Sequence, residues 1–394
     1  MPTRGNSNSS EKKKPVLYIR TFGCQMNIRD SEVISGLLQK AGYRISATDQ
    51  DADIIIFNTC SVRKHAEDRV WSLIGSYKGL KVIGLVGCMA QNYKEQAFQL
   101  DPNISFVVGP QDIHKLPVII EKVLKDNLCS DKKLLERKIW ETEGDLRPEE
   151  IYHTDFYRDR NHAHVVISEG CSNFCSYCVV PYVRGPLRHR KHNDILIEIQ
   201  EAITQGITRF TLLGQNVNAY QDSRVNFTKL LEQINALSGL KELDFFTSHP
   251  KDAGVDFFKA MRDLEKLAKR LHLPLQSGSN KILKLMNRGY QVKDYLALID
   301  SYRKIVKGGR LTTDIIVGFP TETDAEFSQT YALVKQARFN AAYIFKYSSR
   351  PGTVAAKING QLKQDELEKR HRKILELQRS ISKELRSSQT DAHG

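Results

Sequence analysis

The apolar positions between residues 15 and 127 form short continuous runs that alternate with longer stretches of helical period. The runs VLYI, DIIIF, KVIGLVG and SFVVG are typical of buried strands. The stretches between them, such as SEVISGLLQKAGY and AEDRVWSLIGSY, repeat apolar residues every three or four positions, which is typical of helices that pack on a sheet. The alternation predicts an α/β fold with an N-terminal, doubly wound parallel domain over residues 15–127.

A second alternation of the same kind begins near His164. Its six apolar runs are HVVISEG, RFTLLG, ELDFFTS, RLHLPLQSGS, RLTTDIIVGF and AAYIFKYSS. Six strand and helix units are too few for a closed eight-stranded barrel, so we predict a partial (β/α)6 barrel over residues 161–360. A functional site in such a fold is expected at the carboxyl ends of the strands.

The remaining segments are polar or charged. Residues 1–14 are expected to be disordered, residues 128–160 to form a linker, and residues 361–394 to form a charged amphipathic helix with a polar tail. One face of that helix carries apolar side chains that could dock on the barrel: Leu367, Ile374, Leu377 and Ile381.

Composition narrows the class of protein. A chain of 394 residues with 40% hydrophobic residues can bury two cores. No apolar run reaches the roughly 18 residues of a membrane helix, and the N-terminus has no apolar signal segment. We therefore expect a cytoplasmic protein with no membrane partner. The net charge of +13 favours a polyanionic partner, and the odd number of cysteines, seven, favours reduced thiols over disulfides.

Three cysteines, Cys24, Cys60 and Cys88, each come just after one of the first three predicted strands. The carboxyl ends of parallel strands share one edge of the sheet, where ligands bind. The three thiols could therefore converge there. The alternative is that they are unrelated buried residues, because cysteine is commonly buried.

The strongest local motif is CSNFCSYC, which contains Cys171, Cys175 and Cys178. Three thiolates in one loop can bind three irons of a [4Fe–4S] cubane and leave the fourth iron open for a cofactor. A zinc site would need a fourth protein ligand. Four histidines near the motif keep zinc as an alternative, although none has a usual zinc spacing: His162, His164, His189 and His192.

Seven motifs in order, from about Val16 to Gln378, resemble the methylthiotransferase family of radical S-adenosylmethionine enzymes. They are TFGCQMNIRDSE, NTCSVRKHAED, GLVGCMAQ, CSNFCSYCVVPYVRG, LLGQNVNAY, HLPLQSGS and YSSRPGT. GCQMN and GQNVNAY are similar to the branch that acts on isopentenylated adenosine in tRNA. The branch that acts on a ribosomal protein has proline and lysine where Gln25 and Met26 stand here.

The resemblance implies two [4Fe–4S] clusters and S-adenosylmethionine. Cys171, Cys175 and Cys178 would hold the radical cluster. The other three cysteines, Cys24, Cys60 and Cys88, would hold an auxiliary cluster that supplies the sulfur. A 5′-deoxyadenosyl radical would take hydrogen from C2 of isopentenyladenosine in the anticodon stem-loop of tRNA, and a second S-adenosylmethionine would supply the methyl group. A one-electron reductant such as flavodoxin or ferredoxin is expected as a further partner.

Polar groups at the strand ends are the candidate contacts to S-adenosylmethionine, although such residues are as often turn formers or helix caps. The candidates are Gln215, Asn216, Ser248, Gln276 and Asp314, with Gly318 and Phe319 near the adenine. The segment YVRGPLRHRKH combines cations with an aromatic residue, which suits RNA phosphates and an unstacked base. Its candidates are Tyr182, Arg184, Arg188, Arg190 and Lys191. A solvated basic loop is the alternative.

Two departures from the family are visible. The segment has His189 and Lys191 where serine and proline are usual, and the β-barrel RNA-binding module that usually follows the last helix is expected to be absent. Cys129 has no expected role. Other functions stay open: the same chemistry on threonylcarbamoyladenosine in tRNA or on a ribosomal protein, or an RNA-binding protein with iron–sulfur or zinc and no turnover.

Overall fold

The computed structural model describes residues 14–61, 64–77, 81–128, 138–144, 146–153 and 156–390. Most of the N-terminal segment expected to be disordered, residues 1–13, and Cys129 lie outside these ranges. The chain forms two compact units. The first comprises Met1–Gly23, Asp30–Cys60 and His65–Phe156, and the second comprises Cys24–Arg29, Ser61–Lys64 and Tyr157–Gly394.

The first unit contains a six-stranded parallel sheet, which confirms the predicted doubly wound parallel domain. Its strands are β1 (Val16–Phe22), β2 (Arg44–Ile45), β3 (Ile54–Thr59), β4 (Val82–Gly87), β5 (Ile104–Val108) and β6 (Ile139–Glu141). The order across the sheet is β2-β1-β3-β4-β5-β6. The helices of this part of the chain are α1 (Gln25–Lys40), α2 (Lys64–Ser76), α3 (Cys88–Tyr93), α4 (Ala97–Leu100) and α5 (Leu116–Leu128).

β3 lies near the centre of this sheet, between β1 and β4. Every residue of β3 is buried, as expected for a parallel strand covered on both faces, and its Ile-rich sequence suits that environment. The strand order reverses between β1 and β3, the place where sheets of this type bind ligands. β2 and β6 were not predicted because two or three residues carry no pattern. β6 pairs with β5 and lies within the predicted linker 128–160.

The second unit is the predicted partial barrel. Its six barrel strands are all parallel within their ladders: β7 (His162–Val166), β10 (Arg209–Leu213), β13 (Glu242–Phe245), β14 (Arg270–His272), β15 (Arg310–Val317) and β16 (Ala341–Lys346). They form the ladders β13-β10-β7 and β14-β15-β16, linked by a parallel bridge between Leu243 and Leu267. Within the described residues no ladder joins β7 to β16, so the barrel is open there.

Short strands and helices complete this unit. The strands are β8 (Ser168–Glu169), β9 (Arg188–His189), β11 (Gln221–Asp222) and β12 (Val225–Asn226). The helices are α6 (Val180–Arg184), α7 (His192–Thr204), α8 (Phe227–Asn235), α9 (Val255–Asp263), α10 (Asn280–Leu285), α11 (Val292–Ile305), α12 (Asp324–Ala337) and α13 (Gln364–Thr390). Ile374 and Ile381 of α13 are buried in the barrel core, as predicted for its apolar face. Within the described ranges, no helix has the length and apolar content to cross a membrane.

Candidate cluster and cofactor site

The loop with Cys171, Cys175 and Cys178 lies between β8 and α6, at the carboxyl edge of the barrel. Its entry is closely packed, because the amide of Cys171 donates to the carbonyl of Gly185 at 3.1 Å. Gly170 has a φ of +73°, and a Cβ there would lie 2.1 Å from the carbonyl oxygen of Pro186. Only glycine permits this approach without rearrangement.

A distant segment, Met286–Tyr290, holds the same loop from the other side. The amide of Ser176 donates to the carbonyl of Met286 at 3.0 Å. The side chain of Asn287 donates to the carbonyls of Phe174 (3.0 Å) and Asn173 (3.3 Å). Arg288 Nη1 lies 3.3 Å from Cys175 Sγ. Residues more than a hundred positions later in the sequence therefore hold the cysteine loop in place.

The surroundings of Cys171 and Cys178 disfavour free thiolates. Burial, together with the neighbouring Cys175 and Cys171, raises the pKa of Cys178 to about 12. Burial also raises the pKa of Cys171. Cys171 and Cys178 are therefore protonated at neutral pH when no metal is bound, whereas a bound metal deprotonates a coordinating thiol. The three cysteines of the loop fit iron, because the positive charge of bound iron would stabilise the thiolates that burial otherwise disfavours.

The geometry gives the zinc alternative no support. Within the described part of the chain, no group of three His, Cys, Asp or Glu side chains is arranged to hold a single metal ion. A cubane differs because its three cysteines bind three different irons, which keeps the sulfurs further apart. The neighbouring histidines are engaged elsewhere: His162 with Thr211 and His192 with Asp222. Burial lowers the pKa of His164 to about 4.

The strand-end candidates are distinguished by polar atoms that are buried and have no hydrogen-bond partner within the described residues. Four of the predicted contacts carry such an atom: Gln215 Oε1, Asn216 Oδ1, Ser248 Oγ and Gln276 Oε1. Buried polar atoms normally have a partner, so this set fits a polar ligand such as S-adenosylmethionine. Gln276 and Thr247 also have positive φ values of 69° and 73°, and such strained residues cluster at functional sites.

Three predicted cofactor contacts have other surroundings. Asp314 lies in the middle of β15, where its carboxylate is 3.3 Å from His272 Nε2. The amide of Gly318 already donates to Glu322 at 2.8 Å. Phe319 is fully buried and packs against Tyr347. The contacts of Gly318 and Phe319 with the adenine stay predictions.

The basic segment divides into buried and exposed residues. Arg190 is buried and forms ion pairs with Glu198 and Asp194. The same Glu198 accepts a hydrogen bond from the fully buried Arg29 at 2.9 Å. Arg184 is buried as well. Arg190 therefore has a structural role in these ion pairs, and the RNA contacts of the buried Arg184 and Arg190 stay predictions.

The exposed part of that segment keeps the predicted character. Lys191 is exposed and Arg188 is half-buried. Tyr182 is 52% exposed, as is Phe174 of the cysteine loop. The two rings lie 6.3 Å apart in an edge-to-face arrangement. The two exposed aromatic side chains next to the cysteine loop form a candidate binding surface.

The other three predicted cluster cysteines follow strand ends. Cys60 and Cys88, both buried, come directly after Thr59 and Gly87, which are paired in register between β3 and β4. A Cβ at Gly87 would lie 2.7 Å from Asn58 Oδ1, so glycine allows these strand ends to approach. Cys24, which comes two residues after β1, is exposed.

Sequence reasoning missed two groups. Arg288 and Asn287 gave no signal, because nothing in MNRGY indicates contact with a loop more than a hundred residues earlier. His249 was also missed. Its Nδ1 accepts the amide of Lys251, so its unpartnered Nε2 carries the hydrogen. Burial, with help from the charges of Arg288 and Lys251, lowers its pKa to about 2. The neutral ring therefore offers a buried N–H donor directly after Ser248 in the sequence.

A separate cavity of about 910 Å³ lies at the opposite end of the barrel. Arg209, Arg270 and Arg310, the first residues of three strands, line it together with residues of α13. None of the residues predicted to bind the clusters, S-adenosylmethionine or RNA lines this cavity, although His162 of the zinc alternative does.

Two protein families match successive parts of the chain. Residues 16–109 match the Uncharacterized protein family UPF0004, and residues 165–334 match the Radical SAM superfamily. The first match contains Cys24, Cys60 and Cys88, and the second contains the cysteine loop.

Curated relatives are similar over most of their length. The tRNA-2-methylthio-N(6)-dimethylallyladenosine synthase of Thermoanaerobacter sp. (strain X514) is 43% identical over 395 residues, covering 95% of this chain and 81% of that protein. The protein of the same name from Carboxydothermus hydrogenoformans is 41% identical over 384 residues, covering 94% and 85%.

Solved structures are similar in fold. The radical S-adenosylmethionine methyltransferase TsrM from Kitasatospora setae, with cobalamin and a [4Fe-4S] cluster bound, has a TM-score of 0.60 at 13% identity, over 87% of this chain and 74% of that chain. The cobalamin-dependent S-adenosylmethionine radical enzyme OxsB has a TM-score of 0.55 at 14% identity, over 92% and 56%. At these identities the likeness concerns the fold alone.

Proposed function

Because the chain belongs to the family of the tRNA-2-methylthio-N(6)-dimethylallyladenosine synthases, we propose how its own residues serve that family's reaction. The chain is a radical S-adenosylmethionine methylthiotransferase that uses S-adenosylmethionine and two [4Fe–4S] clusters. It transfers a methylthio group to C2 of an isopentenylated adenosine beside the anticodon of tRNA. Threonylcarbamoyladenosine, a ribosomal protein and binding without turnover are not favoured, because the relatives carry the dimethylallyladenosine name.

Cys171, Cys175 and Cys178 are assigned to the radical cluster. The observation that supports this assignment is the position of their loop. Asn287 and Arg288 hold it at the carboxyl edge of the barrel, where the strand-end residues with unpartnered buried polar atoms also lie among the described residues. With S-adenosylmethionine bound, this cluster supplies the radical chemistry needed at C2–H, which no side-chain acid or base can replace. The chain's own part is to fix the loop and exclude water from it.

Gln215, Asn216, Ser248 and Gln276 are assigned to S-adenosylmethionine. Each offers a buried oxygen that has no hydrogen-bond partner in the part of the chain that the structure describes. The amino group and ribose hydroxyls of the cofactor are donors of the matching kind. His249 adds a neutral N–H donor suited to a carboxylate. Asp314, which contacts His272, remains a prediction.

Cys24, Cys60 and Cys88 are assigned to the auxiliary cluster that supplies sulfur. The support is their position, since each follows the end of β1, β3 or β4, three neighbouring strands of one sheet. That edge includes the point where the strand order reverses.

The RNA contact is assigned to the exposed pair Phe174 and Tyr182, with Arg188 and Lys191 beside them. An unstacked base can lie on the aromatic pair, and cations can meet the adjoining phosphates. We also propose that flavodoxin or ferredoxin delivers single electrons and that the reaction takes place in the cytoplasm, where tRNA is processed.

The test is anaerobic incubation of the reconstituted protein with isopentenylated tRNA, S-adenosylmethionine and dithionite, followed by mass spectrometry of the nucleosides. The expected product is 2-methylthio-N6-isopentenyladenosine. Parallel reactions with threonylcarbamoylated tRNA and with ribosomal proteins are expected to give no methylthio product. Product in either of those, and none with isopentenylated tRNA, would replace the proposed substrate.

A further inference from the structure

Arg288 is a buried cation beside the cysteine loop. Its side chain is carried on the segment after α10, and only 5% of the residue is exposed. Nη1 lies 3.3 Å from Cys175 Sγ, within hydrogen-bond range for sulfur. A contact between a guanidinium and a cysteine sulfur is directional, because the guanidinium presents its donors in a fixed plane.

The guanidinium is held on its other edges as well. Nη2 donates to the carbonyl of Pro274 at 3.2 Å, and Nε donates to the hydroxyl of Tyr290, also at 3.2 Å. That hydroxyl donates in turn to the carbonyl of Leu275 at 2.8 Å. The ring of Tyr290 lies 5.4 Å from the guanidinium carbon. These contacts leave Arg288 little freedom to turn away from Cys175.

The charge of Arg288 has no carboxylate partner. Its contacts within the described residues are two oxygens, an aromatic ring and the Cys175 sulfur, and none of them is an acid. An arginine keeps its charge in proteins, and burying an uncompensated charge is costly. A negative charge at the Cys175 sulfur, 3.3 Å away, would compensate the buried guanidinium.

We propose that Arg288 is a positioning residue that stabilises the reduced form of the cluster bound by Cys171, Cys175 and Cys178, through its hydrogen bond to the Cys175 sulfur. Reduction adds one electron from a one-electron reductant and no proton, so the cluster becomes more negative by one charge. Hydrogen bonds and positive charge at the sulfurs of an iron–sulfur cluster raise its reduction potential. This role rests on the cluster assignment proposed above.

The test measures the potential itself. A chain with Cys24, Cys60 and Cys88 changed to Ala keeps one cluster, which is reconstituted and titrated with dithionite and mediators under electron paramagnetic resonance. Arg288→Gln is expected to lower the ratio of reduced to oxidised cluster at a fixed potential about tenfold, a negative shift of about 59 mV for one electron. Arg288→Lys, which keeps the charge, should recover part of the shift. Arg310→Gln, at an exposed arginine of the same unit, should cause none.

Equal potentials for the unaltered and Arg288→Gln chains at equal iron content would overturn the proposal. If Arg288→Gln fails to retain iron, the contact is tested instead by measuring electron–nuclear coupling in the one-cluster chain labelled with 15N in the arginine guanidinium groups. The reduced cluster should show an electron–nuclear coupling to 15N that Arg288→Lys abolishes, and its absence refutes the contact. Failure of the one-cluster chain to bind any iron would instead contradict the cluster assignment.

Discussion

The two cysteine triads are built in opposite ways. Cys171, Cys175 and Cys178 belong to one loop, and side chains from a distant segment fix that loop. Cys24, Cys60 and Cys88 each follow a different strand, and the pairing of β1, β3 and β4 sets the spacing of those strand ends. The positions of the first three cysteines depend on their spacing within one loop and on the contacts of Asn287 and Arg288 with it. The positions of the other three depend on the order of the strands in the sheet. Damage to either should therefore leave the other able to bind its cluster.

The largest effect is expected from Cys175→Ala. Loss of one of three ligands in the loop should remove the radical cluster, so that both S-adenosylmethionine cleavage and methylthiolation fall to background. Iron per chain should fall from about eight to about four, because the strand-end triad is independent. Iron assay and quantification of 5′-deoxyadenosine check this. Loss of all iron would show that the two triads do not fold independently.

Cys24→Ala is the complementary change and should separate the two activities. Methylthiolation should be lost because the auxiliary cluster lacks a ligand, whereas 5′-deoxyadenosine should still form at the unaltered cysteine loop. Nucleoside mass spectrometry and chromatography of 5′-deoxyadenosine from one reaction give both results. Retention of methylthiolated product would contradict the role of Cys24.

Phe174→Ala and Tyr182→Ala test whether the exposed aromatic pair binds RNA. Stacking of a base on an aromatic side chain contributes about 1–3 kcal/mol, so we expect the KM for tRNA to rise at least fivefold with either change. Cleavage of S-adenosylmethionine without RNA should not change. Tyr343→Ala removes an equally exposed aromatic residue elsewhere in the barrel unit and serves as the control. Equal effects from all three would exclude a specific stacking surface.

Asn287→Gly tests the remote support of the loop. Glycine keeps the positive φ of 56° and removes the two hydrogen bonds to the loop carbonyls. Each such bond contributes about 0.5–1.5 kcal/mol. Iron should be lost from the radical cluster faster during chelation, with the auxiliary cluster unaffected. Asn287→Ala should be worse because it adds backbone strain. Loss of iron at equal rates from both clusters would argue against a local clamp.

The difference between the triads also explains how much the sequence could predict. Both alternations of strand and helix were predicted, because long buried strands such as β3 and amphipathic helices such as α8 carry clear periods. The cysteine loop was identified from its spacing. The support by Asn287 and Arg288 was not, since it depends on which loop the barrel places next to the end of α10. The burial of Arg190 was not predicted either, because the sequence does not distinguish this residue from its exposed neighbour Lys191.

Substitutions at Arg190 and Lys191 are expected to have the smallest effects, on stability and on tRNA binding. They compare a buried cation directly with an exposed one. Lys191→Gln should weaken tRNA binding by a few fold and lower the slope of log affinity against log salt by about one, because one phosphate contact is lost. Arg190→Gln should instead lower the unfolding temperature, because Glu198 and Asp194 each lose one buried ion-pair partner. Salt titrations of tRNA binding and thermal unfolding of both variants distinguish the two roles. If Lys191→Gln left the salt slope unchanged while Arg190→Gln lowered it without loss of stability, the assignment of buried and exposed cations would be reversed, and the RNA surface would have to include the Glu198 network.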